Sequence, residues 1–471
     1  MVFSSVEFLF LFLPAFLVVQ IALPWRNLTF VLFSLIFYFI GEGWYTAVVL
    51  VSVAMNFGFG LAIDSSPTGS RRRKGSLGLG VAANLSLLVF FKYAGFLAAQ
   101  FHVAEKSWIR SIHLPVGVSF FTFHALSYLV DVYRDEARAD RSPLRLSLYI
   151  LMFPQLIAGP ILRYAKIAPQ LRNRTVTAQH VYYGVTYFLL GLGQKILIAD
   201  TVAGIADPLF AHWRDLSTAT AWIAVISYSI QIYFDFGGYS NMAIGLALLC
   251  GFDFPKNFDY PYISQSITEF WRRWHISLSS WFRDYLYIPL GGNQNGKWKT
   301  ARNLFTVFIL CGLWHGAAWT FVIWGLYHGL LLVIERIGLR RGLEKVPAIF
   351  RHAYALVAIS VGWVIFRADS VAQARGILAR MFSSAPVAGV PIEQLLTGEQ
   401  RAALLAGVVF SAPVARNLMR SWVALPEQRP WQPSPRPASY AVALVCAAGI
   451  FGASALKVLT GAYSPFIYFR F

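Results

Sequence analysis

The run Asn303-Leu-Phe-Thr-Val-Phe-Ile-Leu-Cys-Gly-Leu-Trp-His315-Gly-Ala-Ala-Trp-Thr-Phe-Val-Ile-Trp-Gly-Leu-Tyr-His328-Gly-Leu-Leu-Leu-Val-Ile334 decides how this chain is read. Its 32 residues include no Asp, Glu, Lys or Arg. As one helix it would extend about 48 Å, against a bilayer hydrocarbon core of roughly 30 Å. The run must therefore tilt, protrude or break. Gly312 and Gly316 flank His315 and predict a break, or close packing through a small-residue face, near that histidine. Broken backbone survives at membrane depth only where protein buries it or where it lines a cavity. His328, 13 residues on, would lie roughly 220° around and about 20 Å along an unbroken helix. The two histidines cannot share a reaction centre without a break between them. His315 is thus the catalytic candidate, and His328 reads as a packed structural histidine.

Similar apolar runs recur outward from this one. They fall near residues 5–23, 28–40, 44–63, 77–100, 115–133, 180–199, 218–234, 350–366, 400–416 and 438–458, with a shorter, re-entrant candidate at 146–162. Apolar residues make up 57% of the chain and charged ones 13%, against about 45–50% and about 25% in soluble domains. The expected architecture is all-α: one polytopic membrane domain over 1–471 with ten to twelve transmembrane helices plus re-entrant and interfacial ones. The first run has no basic residue before it, and Glu7 interrupts it. It reads as a span rather than a cleaved leader.

The net charge of +18 does not indicate nucleic acid, because Lys and Arg lie in the loops between apolar runs. Arg71, Arg72, Arg73 and Lys74 mark a cytoplasmic loop by the positive-inside rule. Counting from it puts the N-terminus outside, Arg26 inside, the loop with His102 and His113 outside, and 134–145 inside. Cys250, Cys311 and Cys446 sit in apolar surroundings without metal-ligand spacing, so they read as buried reduced thiols and no metal site is expected.

Residues 251–302 differ from the rest, mixing charge with aromatics. At about 100° per residue, Trp271, Trp274, Leu278, Trp281, Phe282 and Tyr285 share one face, while Arg272, Arg273, Arg283 and Asp284 lie off it. The pattern predicts a helix lying in the membrane interface, with His275 at the edge of its apolar stripe. Asp235, which closes the run Ile226–Phe234, is a carboxylate at membrane depth. Such residues are costly and mark polar cavities or tightly paired sites; a Tyr, Ser or Arg partner is the expected means of satisfying it. Acyl transfer to a hydroxyl needs a base of near-neutral pKa, and an imidazole in a poorly hydrated cavity stays unprotonated.

These residues resemble the membrane-bound O-acyltransferase family. The pieces are Trp271-Arg-Arg-Trp-His275, Trp314-His315-Gly316, Leu114-Pro-Val-Gly-Val-Ser-Phe-Phe121, Phe153-Pro-Gln-Leu-Ile-Ala-Gly-Pro160, Phe234-Asp-Phe-Gly-Gly-Tyr-Ser240 and Asp284-Tyr-Leu-Tyr-Ile-Pro-Leu-Gly-Gly-Asn293. The resemblance covers nearly the whole chain and pairs His315 with His275, 40 residues upstream. It implies catalysis by His315 as general base with His275 positioning the donor or stabilising charge; Asp235, Trp314, Arg272 and Arg273 are candidates to line the cavity around them. The ending Pro465-Phe-Ile-Tyr468-Phe-Arg-Phe471 resembles a motif of the related D-alanyl-transfer system, which implies Tyr468 as an acyl acceptor; an aromatic-belt role is the plain alternative.

The resemblance further implies acetyl transfer from acetyl-CoA, a substrate and not a bound cofactor, across the bacterial inner membrane to an exopolysaccharide such as alginate. No SGNH-type segment is read in the sequence, so a separate periplasmic O-acetyltransferase of that type is the expected partner, besides lipid. Rival readings are D-alanyl transfer from a carrier protein, acetyl supply to peptidoglycan or cellulose, and a non-enzymatic transporter.

Overall fold

The computed structural model describes residues 1–101, 112–294, 296–383, 396–414, 437–461 and 466–467. Among them every regular element is helical. Five helices are long and apolar enough to cross a membrane: Arg26–Asp64, Arg71–Gln100, Ala178–Ala211, Trp319–Leu343 and Ala348–Arg367. Phe8–Ala22 and Leu444–Leu459 are apolar but shorter. Most of the other expected runs also fold as helices, but they are short or carry buried polar side chains. Hydropathy counted them as equal spans; the backbone does not.

Contacts group the chain into two compact units, Met1–Val185 with Ala243–Pro255, and Thr186–Met242 with Lys256–Phe471. In the first, Phe153 sits at the centre of a phenylalanine cluster, its ring 5.0 Å from Phe16, 5.4 Å from Phe12 and Phe30, and 5.5 Å from Phe37. Buried aromatic pairs of this kind supply area and orientation together. Asn56 and Asn84 exchange side-chain hydrogen bonds of 3.0 and 2.8 Å between Thr46–Asp64 and Arg71–Gln100. Each amide thereby satisfies the other where water is absent. The buried guanidinium of Arg73 bonds Asp135 and the carbonyls of Val132 and Tyr133, so one arginine of the basic loop is structural. The 146–162 stretch is broken at Met152 into Pro143–Leu151 and Phe153–Leu156 and is almost wholly buried in protein. That is the environment irregular backbone at membrane depth requires.

The second unit holds the segment quoted first. Lys297–His315 ends at the histidine, Gly316 is extended at φ −165°, and a new helix, Trp319–Ile334, begins after Ala318. The two helices pack through missing side chains. A Cβ on Gly312 would lie 2.2 Å from the Phe321 carbonyl oxygen, and one on Gly325 would lie 2.2 Å from that of Phe308. Both the break and the small-residue face expected of this run are therefore present.

The single interfacial helix expected over 271–285 is not formed. Ile267–Arg273 stops, Trp274 is extended, and His275 takes left-handed φ 42°, ψ 55° before Ile276–Phe282 begins. Trp271, Trp274, Leu278, Trp281 and Phe282 are all buried. The wheel found the buried residues but missed the turn between them. Glu335, itself buried, holds the first half by accepting the N–H groups of Ile267 and Thr268 and the Thr268 hydroxyl, at 2.6, 2.9 and 2.6 Å. These are the donors a helix start leaves open. Cys250 and Cys311 are buried as expected, but Cys446 is exposed.

Candidate active site

His275 owes its position to Asn257. The Asn257 carbonyl accepts Ile276 N–H at 2.9 Å, and its Oδ1 accepts Ser277 N–H at 3.2 Å and the Ser277 hydroxyl at 2.9 Å. These bonds hold the left-handed turn, a conformation uncommon for a residue with a side chain. The Asn257 amide nitrogen donates to Ser240 Oγ at 3.0 Å, which fixes which end of the amide faces the histidine.

That orientation sets the tautomer. Ser277 N–H can only donate, so the Asn257 atom facing it is an acceptor, and His275 Nδ1, 3.1 Å away, must carry the proton. Nε2 is then a bare acceptor. It is fully buried and meets no hydrogen-bond partner among the described residues. Burial keeps this imidazole neutral, pushing its pKa down to about 3. Its walls are aromatic: Phe236 edge-on at 4.6 Å, Phe258 at 6.4 Å and Trp314 at 6.3 Å.

His315 is the last residue of its helix and is 6% exposed. Trp314, Trp324 and Phe366 surround it at 4.9, 5.1 and 5.1 Å, all near edge-on. Gly316 cannot carry a Cβ, which would fall 2.1 Å from the Phe321 ring. Trp314 packs near both histidines, its ring 6.3 Å from that of His275 and 4.9 Å from that of His315.

The other expected site residues divide. His328 is buried, accepts a 3.3 Å hydrogen bond from Trp271 Nε1 and packs on Trp324, as a structural histidine should. Asp235 is buried and pairs with Lys195 Nζ at 2.7 Å, so its partner is a lysine rather than a Tyr, Ser or Arg. Arg273 is engaged by Glu269 and Asp259, and Arg272 is exposed. Tyr468 lies outside the described residues.

Sequence reading missed Asn257, Ser240 and Lys195. Lys195 carried a usable signal, an ammonium inside an apolar run. Asn257 carried none, being an ordinary polar residue 18 positions from the histidine it orients, and Ser240 closed a family-like motif that gave no sign of this role.

Two buried imidazoles thus flank one indole, and one of them is held as a bare acceptor. The membrane-bound O-acyltransferase family model matches residues 34–365, and the chain belongs to that family: it is a multi-pass membrane O-acyltransferase. It is 40% identical over 493 aligned residues to the probable alginate O-acetylase AlgI of Pseudomonas putida, covering 100% of both chains. It is 36% identical to the peptidoglycan O-acetyltransferase of Helicobacter pylori, over 81% of this chain and 80% of that one. With the teichoic acid D-alanyltransferase of Bacillus subtilis it shares 32% identity, over 43% and 54%.

Proposed function

We propose that this chain moves acetyl groups from acetyl-CoA at the cytoplasmic face of the bacterial inner membrane toward O-acetylation of an exopolysaccharide such as alginate. In this reading His315 is the general base and His275 a neutral hydrogen-bond acceptor. The observation that carries the division is helix polarity. His315 stands at the C-terminal end of a 19-residue helix, where backbone carbonyls favour a developing imidazolium. His275 stands at the start of a helix, buried and neutral, where a cation is disfavoured.

In the transfer, His275 Nε2 accepts an amide N–H of the donor's pantetheine arm and so positions the thioester, while the acceptor hydroxyl donates its hydrogen bond to His315. His315 takes its proton as the oxygen attacks the thioester carbonyl. The C–S bond breaks, and the CoA thiolate leaves with that proton. Basic residues between Lys256 and Arg302 favour the phosphates of the donor. Tyr468 is the acceptor we assign within the chain, and a periplasmic SGNH-type transferase is the partner that would carry the acetyl group onward.

Acetyl rather than D-alanyl transfer is favoured because the acetylase relatives match over 81% to 100% of the chain and the D-alanyltransferases over less than half. The test is turnover by the purified protein in nanodiscs given radiolabelled acetyl-CoA alone. CoA release with label transfer is expected. Turnover that appears only with an aminoacylated carrier protein would overturn the donor assignment.

A further inference from the structure

Lys195, Asp200 and Asp235 form a buried ionic cluster that the chemistry above does not use. Lys195 Nζ lies 2.6 Å from Asp200 Oδ1 and 2.7 Å from Asp235 Oδ1, and all three side chains are nearly inaccessible. Lys195 sits in a π-helical turn, Gln194–Ala199, and Asp235 in the helix Thr218–Leu249. The lysine pairs with Oδ1 of Asp235. The other, Oδ2, accepts the backbone N–H of Ile467 at 2.7 Å, from 232 residues further along the chain.

Ile467 and Phe466 are each 2% exposed. Phe466 stacks on Tyr239, one turn beyond Asp235, at 4.6 Å and 27°, and approaches Phe236 at 6.1 Å. Phe236 is the same ring that meets His275 edge-on at 4.6 Å. One phenylalanine, Phe236, thus packs against both Phe466 and His275. A buried main-chain N–H needs an acceptor. A carboxylate whose other oxygen is pinned by an ammonium supplies one that cannot turn away.

We propose that Asp235, locked by Lys195, is a positioning residue for acyl transfer: it seats the C-terminal segment through the Ile467 main chain against the Phe236 wall of the His275 site. The recognition is of backbone, so it sets the place of the segment without reading its side chains. The seat makes chemical sense of a charged pair at membrane depth. The consequence for transfer rests on the assignment of Tyr468, the next residue in the chain, as acceptor. The seating itself does not.

The experiment uses the full chain in nanodiscs, with Ile467→Cys in a Cys446→Ser background, since Cys250 and Cys311 are already buried. N-ethylmaleimide labelling of position 467 is followed by mass spectrometry. Slow labelling is expected, rising about tenfold or more when Asp235→Ala is added. In the otherwise native chain, Asp235→Ala and Ile467→Pro, which deletes the donor but spares the ion pair, should each lower kcat by about 10- to 100-fold. The acetyl-CoA KM should stay within about twofold, and the double variant should be no worse than the single ones.

Unchanged labelling in Asp235→Ala, or wild-type transfer by Ile467→Pro, overturns the seat. So does a loss confined to Asp235→Ala with a risen KM, which marks a purely structural ion pair. Full activity of Tyr468→Phe would instead remove the acceptor assignment, leaving the labelling result to decide the seat by itself.

Discussion

His315 ends a helix that runs for 19 residues, and His275 begins one of seven. The first break is made by small residues, with Gly316 extended and Gly312 packed against the Phe321 carbonyl. The second is made by hydrogen bonds, with Asn257 holding a histidine in the left-handed region. The difference separates two jobs that one residue type can do. A helix end stripped of side chains leaves carbonyls facing an imidazole and suits it to take a proton. An amide that accepts from Nδ1 fixes the tautomer and suits the other imidazole to receive a hydrogen bond while staying neutral.

The comparison breaks first at His315. His315→Ala should lower kcat for acetyl transfer by about 10²- to 10⁴-fold, the range for loss of a general base. His315→Gln should be no better, because an amide cannot take the proton. A Gln variant with near-native turnover would reverse the two roles.

His275 sharpens the comparison by behaving differently. His275→Gln keeps a carbonyl acceptor and should retain at least about tenfold more activity than His275→Ala. The pH dependence gives a second readout. A pKa lowered to about 3 means that His275 stays neutral across the working range and begins to protonate only near pH 3. It cannot be the source of an acid limb near neutrality in kcat/KM, so that limb should persist unmoved in His275→Gln. A limb that disappears with His275 would show that this imidazole, not its partner, is the base.

The smallest effect belongs to Asn257. Asn257→Ala frees the ring to change tautomer and should cost about 10-fold in kcat, as removal of an orienting hydrogen bond does at other histidine sites. Imidazole nitrogen shifts of selectively labelled protein would report the tautomer directly. A wild-type tautomer in Asn257→Ala would mean that something other than Asn257 sets it.

Much of this was legible in residue order. The overlong run 303–334 required a break, and glycines located it beside His315. The run does break between His315 and His328, so the geometry of an unbroken helix does not separate them; what marks His328 as structural is its packing on Trp271 and Trp324. The wheel over 271–285 identified the buried aromatics correctly, because burial depends on composition as well as on shape. It failed on continuity. No Gly or Pro marks position 275, and the turn there is held by bonds from a residue 18 positions earlier.

Sequence by itself therefore determined the class of the molecule and its helical content and singled out two histidines as candidates, since apolar periodicity and motif residues are properties of nearby positions. The tertiary structure alone decided which nitrogen of His275 is bare, that Lys195 pairs with Asp235, and that Asp235 meets Ile467. Each of these is a contact at hydrogen-bond range between distant parts of the chain. Such contacts follow from how helices pack, and no local pattern encodes them.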